Sequence, residues 1–88
     1  MLSLDEVKEF LRIDVPDEDG YLNVLILLAS EMVQNYLRLD ELPQELPLAL
    51  KQAMLIIAGY FYENREGIKE GMPDVVYMLL NPYRKVEF

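Results

Sequence analysis

The 88-residue chain contains no cysteine, no histidine and no tryptophan. Without cysteine it has neither disulfides nor a thiol nucleophile, and without histidine it has no imidazole acid or base. Losing both removes the Cys/His zinc sites, so no metal or other cofactor is expected. Basic residues are also scarce, with 8 Lys and Arg against 16 Asp and Glu for a formal net charge of -8. Tight nucleic-acid binding relies on basic groups that displace counterions, and this chain has no basic stripe to do so. It is a poor holder of DNA, although DNA could pass it without sequence-specific binding. Long apolar runs are missing as well: the longest uncharged stretches, 20–30 and 52–62, fall well short of the roughly 20 residues that span a bilayer. Met1-Leu2-Ser3-Leu4-Asp5 lacks the basic start of a signal peptide, so the sequence reads as a soluble cytoplasmic product with no membrane partner.

What is present points to one small helical domain. Apolar residues make up 52% of the chain and charged residues 27%, enough to build a core and still dissolve. Ser3-Leu4-Asp5-Glu6 matches a capping box, and Leu4, Val7, Phe10 and Leu11 recur at helical spacing, which predicts a first helix over about 4–13 that is stopped by Pro16. Asp17 is the expected cap of a long second helix that ends near Arg38. Its stripe of Leu22, Leu25, Ile26, Ala29, Met32, Val33, Tyr36 and Leu37 faces the core. The opposite side of that helix carries polar residues, but Val24, Leu27 and Leu28 interrupt them.

Pro47 predicts the start of a third helix over about 47–65, with Gly67 as its stop. Leu50, Ala53, Met54, Ile57, Tyr60 and Phe61 form its main face, while Leu48, Leu55, Gly59 and Tyr62 form a second apolar stripe. A helix apolar on two sides is expected to be buried on two sides. A short fourth helix follows from Pro73 to Leu80. The expected architecture is therefore all-α, a small bundle of about four helices, two long and two short. Its domain is 1–81, and 82–88 is read as an extended C-terminal tail. Leu25, Ile26, Ala29, Val33, Leu50, Met54, Ile57 and Phe61 are the expected core.

Three chemical readings fail on the residues. Setting Gly20 at the obligatory glycine of a calcium loop puts Asp17 and Asp19 at ligand positions, but Val15 then stands first and Ile26 stands twelfth, where a bidentate Glu is required. An acyl carrier needs a serine in an Asp-Ser-Leu motif, yet Ser3 follows Leu2, and Ser30 lies between Ala29 and Glu31. Acid pairs such as Asp5/Glu9 and Glu63/Glu66 are ordinary solvated carboxylates of helical surfaces, so no catalytic residues are assigned.

Several segments, in this order, resemble one family. They are Leu4-Asp5-Glu6-Val7-Lys8-Glu9-Phe10-Leu11-Arg12-Ile13-Asp14, the acidic Asp17-Glu18-Asp19 before a long apolar helix, Leu46-Pro47-Leu48 with Lys51-Gln52-Ala53, Tyr62-Glu63-Asn64-Arg65-Glu66, and Leu79-Leu80-Asn81-Pro82-Tyr83-Arg84. Together they are similar to the head-tail connector (adaptor) proteins of tailed bacteriophages, a group also described as possible DNA-packaging proteins. The short 67–71 loop and Gly20 depart from the family pattern. The resemblance implies a ring of about a dozen copies between the capsid portal and the stopper or tail-completion protein. DNA would pass through its channel, and the protein would sit at the head-tail junction of the virion and in the host cytoplasm during assembly.

Two surfaces are expected to serve that role. Val24, Leu27, Leu28, Leu55 and Tyr62 form a candidate self-assembly interface. Tyr83, Arg84, Lys85, Val86 and Phe88 form a candidate docking tail, in which unpaired amides could add a strand to a partner's edge. A small acidic helical protein-binding regulator, with imitation of the charge of DNA as one form of it, is the competing reading and requires a monomer or dimer.

Overall fold

In the computed structural model, which describes residues 2–64 and 72–84, four α-helices and one 3-10 turn are laid out in the expected order. Helix α1 spans Leu4–Leu11, α2 Asp19–Leu37, α3 Leu48–Glu63 and α4 Asp74–Leu80, and the described residues contain no strand. Each helix end has a local cause. Before α1 the Ser3 hydroxyl accepts from the Glu6 amide at 3.2 Å and the Glu6 carboxylate accepts from the Ser3 amide at 3.0 Å, the reciprocal box that the sequence implies.

Helices α1 and α2 close in the same way. Arg12 and Arg38 both adopt the left-handed conformation, with φ of 59°. The Ile13 amide donates to the Lys8 carbonyl and the Leu39 amide to the Gln34 carbonyl, which is the double closure usually built on glycine. Ile13 and Leu39 follow these arginines and pack against the core, so apolar contact holds each strained turn in place.

Several boundaries differ from expectation. Helix α1 ends at Leu11 because the turn at Arg12 leaves it before Pro16 can act. The residue before α2 is Glu18, and neither it nor Asp17 provides a side-chain cap. Asp19 instead lies inside the first turn, where its carboxylate accepts from Lys8 Nζ at 2.8 Å and sits on the positive end of the helix. Pro47 flanks α3 rather than starting it, and the helix stops at Glu63, where the Asn64 side-chain amide donates to the Tyr60 carbonyl at 2.9 Å. Gly67 lies outside the described residues. Residues 81–83 form a 3-10 turn instead of an extended run, with Pro82 at a position where a missing amide costs nothing.

The core runs between α2 and α3 and is closed by Val7 of α1 and by Val76 and Leu80 of α4. Tyr21, near the start of α2, donates to the Phe61 carbonyl near the end of α3, so the two long helices are antiparallel. Seven of the eight expected core residues are buried. Phe61 is the correction: it lies in the last turn of α3 and is only half-buried against the core.

Candidate assembly surface

The two long helices each carry apolar residues off their core-facing side, and the fold treats them differently. On α3 the second stripe is covered by the chain itself at Gly59 and in part at Leu55 and Tyr62, while Leu48 in the first turn is 83% exposed. Gly59 is buried beneath α1, and a Cβ at this position would lie 3.2 Å from Leu11 Cδ2 and 3.4 Å from Phe10 Cε2. Glycine thus suits a close helix approach, since any larger residue would need the ends of Leu11 and Phe10 to give way by a few tenths of an ångström. The Glu6 carboxylate reaches Lys51 Nζ at 2.7 Å and fixes the other end of the same contact. That ammonium, with the Ser3 amide, holds the Glu6 carboxyl below the usual range. Leu55 and Tyr62 are half-buried and pack against the domain's own core, which leaves only their edges for a partner.

Among the described residues, nothing covers the outer side of α2 to the same degree. Val24 is 56% and Leu27 62% exposed, and Leu28 is half-buried beside them. Val24, Leu27 and Glu31 fall at i, i+3 and i+7, one continuous stripe on the helix surface. The structure therefore divides the five expected interface residues: Val24 and Leu27 stand in solvent, Leu28 is intermediate, and Leu55 and Tyr62 are engaged within the fold.

The C-terminal segment departs further from expectation. Arg84 places its guanidinium 4.8 Å from the centroid of the Tyr36 ring, and Tyr77 of α4 packs on the same ring at 5.4 Å. The Tyr36 hydroxyl donates to the Asn81 side-chain oxygen. One tyrosine of α2 thus anchors α4, the 3-10 turn and Arg84. Tyr83 is exposed, while Lys85, Val86 and Phe88 lie outside the described residues. Tyr36 was legible only as a member of the core stripe, because no local spacing connects it with residues 45 positions away.

Exposed apolar residues missed by the sequence reading sit on α4. Val75 is 43% and Met78 72% exposed, on the side opposite Val76 and Leu80, and no charged residue follows Asp74 within this helix. That absence of charge was the signal available. Ser30, the other serine considered, is buried and donates to the Ile26 carbonyl at 2.8 Å, so its hydroxyl is already used. Ser30 and Gln34 also line a cleft of about 370 Å³ beneath the 42–46 linker. Among the described residues no helix is long and apolar enough to cross a membrane.

The model of the family described as phage gp6-like head-tail connector protein matches residues 1–84. The chain belongs to this family. No curated protein and no solved structure matches it. As a connector it is a structural component of the virion's head-tail junction, associated with other phage head and tail proteins, and its family is not an enzymatic one. The connector's apolar outer surfaces suit a protein that works by contact with its neighbours.

Proposed function

We propose that this connector forms a closed ring of about a dozen copies between the capsid portal and the stopper or tail-completion protein, with DNA passing through the centre. The exposed Val24-Leu27 stripe on α2 carries the reading. A ring of identical subunits buries such a stripe in every copy and leaves no free end. The net charge of -8 suits the passage of DNA, since an acidic wall repels a phosphate backbone within a screening length of about 8 Å at physiological salt. Leu28 and the exposed edges of Leu55 and Tyr62 would border the same contact.

The segment beyond Arg84, with Lys85, Val86 and Phe88, is proposed to dock on the portal or on a neighbouring ring component. Lys85, with Arg84 just before it, would steer it toward an acidic partner more than it adds affinity. Because Arg84 is held on Tyr36, this segment starts from a fixed point on the domain. Deleting 85–88 is expected to leave the melting temperature unchanged and abolish binding to portal-bearing capsids, and normal binding by the truncated chain would refute the docking role.

Mass measurement across concentration, followed by electron imaging of the purified chain and of assembled heads, tests the ring. Annular particles are expected. A chain that stays a monomer or dimer in both settings would favour an acidic regulator instead.

A further inference from the structure

A ring of identical subunits joined head to tail needs two different surfaces on each copy, and α2 supplies only one. We infer that the second is the outer face of α4, so that the Val24-Leu27 stripe of one copy packs on the Val75-Met78 stripe of the next. This pairing rests on the ring reading above and names the surfaces that would close it.

The two stripes correspond position by position. On α2, Val24, Leu27 and Glu31 stand at i, i+3 and i+7. On α4 and the turn after it, Val75, Met78 and Pro82 stand at the same spacing, all exposed, with Arg84 just beyond. Each stripe has two exposed apolar side chains followed by one charge, acidic on α2 and basic past α4. The helix α4 is short, and between Asp74 and Arg84 it offers water no charged group. Such a face is costly to leave wet and suited to an apolar partner.

Charge also selects the orientation. With the two helices parallel, Glu31 lies toward Arg84, while Asp74 lies toward the uncharged Asn23 and Gly20. With them antiparallel, Glu31 would be brought to Asp74, where like charges oppose each other, and Arg84 would be brought toward Glu18 and Asp19, of which Asp19 is already paired with Lys8. Arg84 is already held over Tyr36, so it would meet Glu31 without further ordering of its side chain. A second copy of this chain therefore matches the α4 face in apolar spacing and in charge.

The absence of native cysteine makes the test direct. Leu27→Cys and Met78→Cys are introduced singly and together, both at exposed positions, and the purified chain and connector-bearing heads are treated with a short bis-maleimide. The double variant is expected to give a ladder of covalent oligomers beyond the dimer, and each single variant to stay monomeric on a denaturing gel. Linked dimers from Leu27→Cys alone would mean that α2 meets α2, which overturns the pairing. The pairing also falls if wild-type rings are seen by mass and imaging but the double variant gives no ladder. Absence of rings in both settings would instead remove the ring reading and the pairing with it. For orientation, Glu31→Lys and Arg84→Glu are each expected to weaken association by up to about fivefold, the size of an exposed ion pair, and the double exchange to restore it. No restoration would overturn the parallel arrangement.

Discussion

The second stripe of α3 and the outer stripe of α2 look alike as sequence, both being apolar residues at helical spacing on the side away from the main core. In the folded chain, α1 lies over Gly59 in the middle of the α3 stripe, whereas Val24 and Leu27 on α2 remain in solvent. The same hydrophobic signal is largely taken up inside the molecule in one case, with only Leu48 exposed, and left in solvent in the other. A doubly apolar helix therefore announces two contacts without saying whether both are intramolecular.

Substitution can break the comparison from the α3 side first. Ile57, which is 2% exposed on the core face of α3, sets the scale: Ile57→Ala is expected to cost about 2–5 kcal/mol in a denaturant titration. A loss below about 1 kcal/mol would show that the site collapses around the change or is not core. Leu55→Glu, on the stripe that packs within the fold, is expected to cost about 1–3 kcal/mol, because a carboxylate would lose water without gaining a partner.

Leu27→Glu makes the opposite prediction on α2. Stability should change by less than about 0.5 kcal/mol, as at most exposed positions, while ring formation is lost. If Leu27→Glu unfolds the chain and Leu55→Glu does not, the contrast between the helices is reversed.

Acid sharpens the comparison at the α1–α3 contact. Because the folded Glu6 carboxyl lies below its ordinary value, its contribution is complete above the unfolded value and is lost as pH falls through the folded one. Lys51→Met is expected to raise the Glu6 titration point toward the ordinary range, with Ser3 still holding part of the shift. Carboxyl chemical shifts followed against pH measure this, and an unchanged Glu6 would show that Lys51 does not fasten α1 to α3. The smallest effect is expected at the end of α1, where Arg12→Gly relieves a left-handed arginine. Stability should rise by no more than about 1 kcal/mol, offset in part by the greater freedom of glycine in the unfolded chain.

Much of the fold was legible because it depends on neighbours in sequence. The Ser3/Glu6 box and the four helices follow from capping and periodicity. The errors fall where local rules compete with distant contacts. Asp17 looks like a cap, but the first turn of α2 is organised around Asp19 and Lys8, eleven residues apart. Pro82 suggests a break into an extended tail, but Tyr36 gathers Asn81 and Arg84 into a turn. Among the outer surfaces, the apolar residues off the main stripes of α2 and α3 were visible in the sequence, those of α4 were missed, and which of them the fold would cover was not legible.

The sequence by itself determined the helical class, the exclusion of thiol and imidazole chemistry, the acidic character and the family resemblance, since composition and i to i+4 relations are properties of the chain alone. Only the tertiary structure decided that α1 covers Gly59 on the far side of α3, that α2 and α4 keep exposed apolar stripes, and that Tyr36 gathers Tyr77, Asn81 and Arg84. Those outcomes depend on which surfaces reach each other once the helices pack, and periodicity specifies the direction a side chain faces along its helix without specifying what stands opposite it.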